Sequence, residues 1–281
     1  MMRRTSAHRQ ADPLSQILRL LTWGAALVTM GILVFLIGYV LVRGIPNLTP
    51  DLFAWTYSTE NVSMTPALIN TVIMTLLALL IAAPLGIFSA IYLVEYARRG
   101  SRLVKAVRMT SETLSGIPSI VYGLFGYLCF VVQLKWSYSL LSGACTLAIM
   151  ILPLILRTTE EALISVSDMY REGSFGLGAG KLRTVFRIVL PSAMPGILSG
   201  IILGIGRIVG ETAALLYTAG SVAKVPGSLL DSVRTLSVHM YTLSSEGLYV
   251  GQAYATAAIL MLLVAVINAL SSFVASRIAK G

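Results

Sequence analysis

Arg207 and Glu211 stand four residues apart in a run, Gly196 to Ala219, that contains no other charge. Ionisable groups at bilayer depth are costly, so such a pair marks a functional-site candidate. Arginine offers a planar fork of donors, and a carboxylate accepts from an anion that still carries a proton. Phosphate has such an O–H at neutral pH and sulfate has none. Together with the Thr212 hydroxyl, the pair suits a path for a protonated oxyanion. The alternative is an i,i+4 salt bridge that only neutralises itself. Arg before Glu is the less favourable order for that bridge, and apolar residues would avoid the desolvation cost.

The element that must position this pair is a helix. Gly196, Gly200 and Gly204 recur every four residues, and Arg207 and Glu211 continue the stripe at i+7 and i+11 from Gly200. Small residues in register let helices approach closely, so the pair is expected to face into a bundle. With a span starting near Gly196, Arg207 would lie about 16 Å deep, near the midplane, and Glu211 about 22 Å.

The rest of the chain supplies that bundle. Hydrophobic residues make up 56% of the 281 and charged residues 12%, a balance outside that of soluble domains. Six runs are long enough to cross about 30 Å of hydrocarbon. They lie near Leu20–Val42, Leu68–Val94, Leu114–Leu134, Ser137–Leu156, Gly196–Ala219 and Tyr254–Val274. The expected fold is an all-α, polytopic bundle of six transmembrane helices over residues 20–281, after a cytoplasmic segment, 1–19. The first run is too long for a cleaved signal's apolar core of about 7–15 residues. Pro84 and Gly86 predict a kink in the second span, and Gly116, Pro118, Gly123 and Gly126 predict tight packing of the third.

The net charge of +9 is explained by topology and requires no nucleic acid. Basic residues cluster before the first span (Arg3, Arg4, Arg9, Arg19) and in a short basic loop after the second (Arg98, Arg99, Arg102, Lys105, Arg108). More follow the fourth span (Arg157, Arg171, Lys181, Arg183, Arg187) and end the chain (Arg277, Lys280). The opposite face holds only Arg43, Lys135, Lys224 and Arg234. By the positive-inside rule the richer face, with both termini, is cytoplasmic. Cys129 and Cys145 read as packing thiols within spans, and His8 and His239 are too far apart for a metal site. The external stretch Ser221–Val250, with Pro226, Asp231, Arg234, His239 and Glu246, is a candidate docking surface or a solvated loop.

Residues 157–195 form a polar segment on the cytoplasmic side. Its glycines do not make a P-loop: Phe175 occupies the required glycine position before Gly180-Lys181, and Leu182 stands where Ser or Thr is needed. The segment instead reads Glu172-Gly173-Ser174, then Gly178, nine residues, Ile188, and Leu190-Pro191. This resembles the E-A-A-x3-G-x9-I-x-L-P signature of ABC-importer permeases. Both alanines are replaced, by Gly173 and Ser174, which bears on the rigidity of the first short helix. Two short helices reversed at a glycine would make a knob that fits a cleft on another protein.

The stretches GIPSIVYGLFG, LRTTEEAL, GRIVGETAALLYTAG and SVHMYTL are similar to PstA-type permeases of the phosphate ABC importer, and with the spans they cover most of the chain from the second span onward. The resemblance implies a type I importer (MetI-like) fold and a heterodimer with a PstC-type permease. It also implies two PstB-type ATPases docking on Glu172 to Pro191, a periplasmic phosphate-binding protein, and inorganic phosphate passing Arg207 and Glu211. The chain would hold no cofactor, ATP and Mg being bound by the partner ATPases. Ala214 stands where the family motif, G-E-T-A-P-L, has proline, which predicts a straighter helix end. The alternatives are a PstC-type or other oxyanion permease, or an ATP-independent anion transporter. A membrane enzyme acting on phosphorylated lipid lacks a convergent set of catalytic groups.

Overall fold

The computed structural model describes residues 13–98 and 100–278. Arg3, Arg4, Arg9, Arg99 and Lys280, and most of the segment 1–19, lie outside the described residues. In lipid every backbone polar group needs a partner within the protein, which selects helices for apolar runs of this length. Helix α1 (Pro13–Gly44) is followed by two short 3₁₀ turns, and α2 (Thr65–Ile91) widens into a π-type turn over Tyr92–Tyr96. Next come α3 (Arg102–Ser115), α4 (Ser119–Gly126) with a π-type extension to Gln133, and α5 (Leu140–Ser165). The polar segment forms α6 (Asp168–Gly176) and α7 (Lys181–Thr184); α8 (Leu190–Val209) and α9 (Ala213–Thr218) follow, then α10 (Leu236–Glu246) and α11 (Val250–Ile278).

Among the described residues five helices are long and apolar enough to cross a membrane, six if the bent pair of α3 and the α4 helix extended to Gln133 counts as one span. The expected third span, Leu114–Leu134, is corrected here: its helix breaks at Gly116-Ile117-Pro118 and turns by 104°. Proline disfavours the α conformation at the residue before it, here Ile117. The basic stretch expected to be a loop after the second span is also corrected, being largely the helix α3. Val104 and Val107 pack it against Leu93 and Leu156, while Arg102, Lys105 and Arg108 remain exposed.

The fifth span is corrected at both ends. It does not begin near Gly196, since α7, a π-type turn over Val185–Val189 and α8 run on as one helix from Lys181 to Val209. Nor does it continue unbroken to Ala219: it stops at Val209 and resumes as α9.

The core lies where α2, α5, α8 and α9 meet. Alanines of α2 (Ala78, Ala82) face Leu147, Ile151 and Ile155 of α5, with Ile208 and Leu215 closing the cluster. Small residues against large ones bring these helices close. A methyl at Gly86 would come 2.8 Å from Ile155 Cγ2. On the outer side, the loop after α1 packs Leu52, Val62 and Met64 under Leu236, Leu243 and Ala253. Arg234 and His239 are buried there, at 4% and 0% exposure. These two members of the candidate docking stretch therefore belong to a core and are not free to meet a partner.

Candidate functional site at the broken fifth span

The glycine stripe of α8 lies against α5. A methyl at Gly196 would come 2.6 Å from Ala162 Cβ, one at Gly200 would overlap the Thr158 side chain, and Gly204 faces Ile151 and Ile155 at 4.0 Å. The register is antiparallel, Gly196 to Ala162 and Gly200 to Thr158, so Arg207 comes level with Ile151. Arg157 is the first charge met along α5 from Leu140, and Arg207 lies roughly 9 Å from its level along the helix axis, at about 1.5 Å per residue.

Glu211 does not close an i,i+4 bridge with Arg207. The helix ends before it, and its Oε1 accepts the backbone N–H of Ala214 at 3.0 Å, capping the restart at α9. Its carbonyl accepts the Ser237 hydroxyl at 2.6 Å, which ties the break to α10. Ala214, where the family motif has proline, does not give the straighter helix end expected. A second helix seats on the break: Gly123 of α4 packs on Ala214, a methyl there coming 2.8 Å from Ala214 Cα. Two of the stretches that carried the resemblance, GIPSIVYGLFG and GRIVGETAALLYTAG, therefore meet in space.

Arg207 is left half-buried, and among the described residues its guanidinium makes no hydrogen bond or ion pair. It acts electrostatically on Tyr122, which is 5% exposed and donates to the Leu114 carbonyl at 2.8 Å. Tyr122 was not singled out in the sequence, where it is one aromatic in an apolar run. Thr212 precedes α9 without a capping hydrogen bond from its side chain. Breaks in spanning helices are where transporters place substrate and ion sites, and here an unpaired arginine stands beside such a break.

At the end of the bundle away from the break, α6 and α7 reverse at Gly178, whose φ of +83° is a conformation that side chains resist. The Ser174 and Thr184 hydroxyls, 2.8 Å apart and buried, join the two helices. Ser174, one of the two replacements in the signature, thus supplies a tie that alanine lacks. Glu172 and Gly173 lie on α6, while Ile188, Leu190 and Pro191 lie on the long helix where it enters the bundle. Leu190 packs with Val185, Val189 and Ala193. Met169, Tyr170, Phe175, Leu177 and Leu182 are exposed, Leu177 at 91%.

Sequence reading missed how this knob is fastened. Arg171 donates to Glu95 Oε1 at 2.7 Å and to the carbonyls of Val166 and Leu163 at 2.7 and 3.0 Å. Arg108 pairs with Glu160. These residues figured only in the charge balance, although acids at the inner ends of apolar spans are themselves a signal of partners.

Outside the spans, Asp231 accepts the Gly227 N–H at 2.9 Å and pairs with Lys224 at 3.3 Å. These contacts hold its carboxyl below the usual range. His239 is pushed down to about 3 by burial, with the Arg234 guanidinium adding to it.

Comparison with known proteins agrees with this architecture. Residues 82–280 match the family described as binding-protein-dependent transport system inner membrane component. The chain is 35% identical over 258 residues to the phosphate transport system permease protein PstA 1 of Mycobacterium tuberculosis, covering 87% of this chain and 84% of that one. It is 33% identical over 239 residues to the probable ABC transporter permease protein YqgI of Bacillus subtilis, covering 79% and 81%. The fold is that of a solved bacterial alginate ABC transporter in complex with an alginate pentasaccharide-bound periplasmic protein, with TM-score 0.66, 17% identity, and 95% and 94% coverage. The chain belongs to the family of binding-protein-dependent transport system inner membrane components, among its PstA-type permeases.

Proposed function

We propose that this multi-pass inner-membrane protein is the transmembrane subunit of an ATP-driven phosphate importer, with both termini cytoplasmic. Similarity to PstA permeases over most of the chain supports the substrate, and the observation that carries the site is the unpaired Arg207 beside the broken fifth span. In this reading Arg207 takes phosphate oxygens with its free donors. Thr212 and the Glu211 backbone hold the break open, and the Glu211 carboxylate, when released from Ala214, accepts a hydrogen bond from the O–H that phosphate retains. A PstC-type permease completes the path, and a periplasmic phosphate-binding protein delivers substrate from outside.

PstB-type ATPases, which bind ATP and Mg, dock on the α6–α7 knob, whose exposed Leu177, Tyr170 and Met169 suit a protein cleft better than water. The helix from Lys181 to Val209 connects the knob to the break without interruption, so displacement of the knob reaches Arg207 through one rigid element. The test is phosphate uptake by vesicles holding the assembled complex, native against Arg207→Gln. Uptake is expected to fall about tenfold or more, the worth of a charge-assisted hydrogen bond of about 1.5–3 kcal/mol, with ATP hydrolysis and assembly retained. Native uptake in the variant would remove Arg207 from the path, and phosphate uptake without any ATPase partner would overturn the importer reading.

A further inference from the structure

A cavity of about 820 Å³ opens between the turn after α2, the start of α3, the end of α5 and the α6–α7 knob. Buried Leu93 and Val104 make an apolar floor, and the exposed Arg98, Arg108 and Lys181 stand round its rim. Arg171 and Glu95, on its wall, are satisfied by each other, and Asp168 is held by Arg171. The rim cations are not so engaged. Arg108 gives one edge of its guanidinium to Glu160 and keeps its side chain 51% exposed. Lys181 Nζ lies 5.1 Å over the Tyr96 ring, and neither Lys181 nor Arg98 makes an ion pair among the described residues. A second hollow of about 530 Å³ shares Arg98 and Gly100 with the first and runs out along Tyr92, Tyr96 and Leu103, all three exposed at the inner end of the span. Cationic rim, apolar floor and an outward aromatic trough complement a phosphate group that carries, or lies beside, an acyl chain.

We propose that this cavity binds a phosphate-bearing anion through Arg98, Arg108 and Lys181, the two sources of that chemistry being an anionic lipid of the cytoplasmic leaflet and free cytoplasmic phosphate. Because α3 forms one wall and α6 and α7 the other, an occupant joins the bilayer-side helix to the knob and makes the knob's attachment depend on lipid or on imported product. The site rests on the cytoplasmic placement given above but not on the transport reading. Its test measures binding, so the two fail separately.

The experiment uses the assembled complex in phosphatidylcholine nanodiscs. Native mass spectrometry follows added phosphatidylglycerol, and equilibrium dialysis follows radiolabelled inorganic phosphate. Arg98→Gln with Lys181→Gln is compared with the native complex and with the charge-keeping pair Arg98→Lys and Lys181→Arg; Arg108 is left in place because it holds Glu160. A lipid site is expected to show phosphatidylglycerol retained at least fivefold more by the native and charge-keeping complexes than by the neutral variant, with phosphate stoichiometry unchanged. A free-phosphate site is expected to show one fewer phosphate per complex in the neutral variant alone. Equal retention of both probes by all three complexes, or loss in the charge-keeping pair as large as in the neutral one, overturns the proposal.

Discussion

Arg171→Ala should detach the α6–α7 knob from the bundle, and the structure sets the size of the effect. Arg171 and Glu95 are 14% and 8% exposed in their side chains. Removing the arginine strands a mostly buried carboxylate and takes donors from the carbonyls of Leu163 and Val166 at the end of α5. Breaking a buried pair from one side costs about 3–5 kcal/mol. The Asp168 contact, on a side chain 69% exposed, adds little. The assay is unfolding of the complex in mixed micelles by pulse proteolysis, paired with ATP hydrolysis and uptake in vesicles. Expected are a loss near 3 kcal/mol and hydrolysis that continues with reduced uptake. In a double-mutant cycle, Glu95→Met should recover about 2 kcal/mol of the Arg171→Ala loss, because the stranded charge is gone. A loss under about 0.5 kcal/mol, or strict additivity of the two changes, would show that the pair does not fasten the knob.

Two further outcomes follow from packing and titration. Gly200→Ala should cost about 1–3 kcal/mol by overpacking, because the three nearest atoms to the new methyl all belong to the Thr158 side chain; Thr158→Gly in the same chain should recover most of it, less about 1 kcal/mol for glycine in a helix. For His239, the folded pKa of about 3 lies below the ordinary 6.5 or so, so the unfolded chain takes the proton first. Its contribution is intact above about pH 6.5 and is lost as pH falls toward 3, by up to about 1.4 kcal/mol per unit. The pH profiles of stability for the native chain and His239→Leu should therefore diverge below pH 6.5, and parallel profiles would contradict a buried neutral imidazole.

Fold class was legible because hydrocarbon thickness acts on composition alone, and the ends of α2 and α11 were found within four residues, whereas α1 starts at Pro13, ahead of the expected Leu20, and α5 runs on to Ser165, past the expected Leu156. Helix breaks were less legible. Pro118 marks the bend between α3 and α4, yet the apolar window ran across it, and the basic residues of α3 looked like loop although their spacing leaves Val104 and Val107 on one side. The start of the long helix at Lys181 was hidden for the converse reason: its first turns are polar and outside the bilayer, where hydropathy has no signal. Arg171 with Glu95, and Arg108 with Glu160, are pairs distant in sequence. Counting charges by side groups residues by face without showing which of them meet.

The break after Val209 is where spacing and chemistry part. An unbroken helix would set Arg207 and Glu211 one turn apart, and the arginine would spend its donors within its own chain. Ending the helix at Gly210 instead turns the carboxyl toward the Ala214 N–H, one of the donors that a restarting helix leaves without a partner. No proline is needed for this: a glycine at the end of α8, a carboxylate to cap α9, and Ser237 to hold the carbonyl between them suffice. The acid is used to make the break, and the arginine is thereby released. The same four-residue spacing that looked like a self-neutralising pair thus produces its opposite, an arginine whose donors no group among the described residues takes, which is what the proposed phosphate path requires.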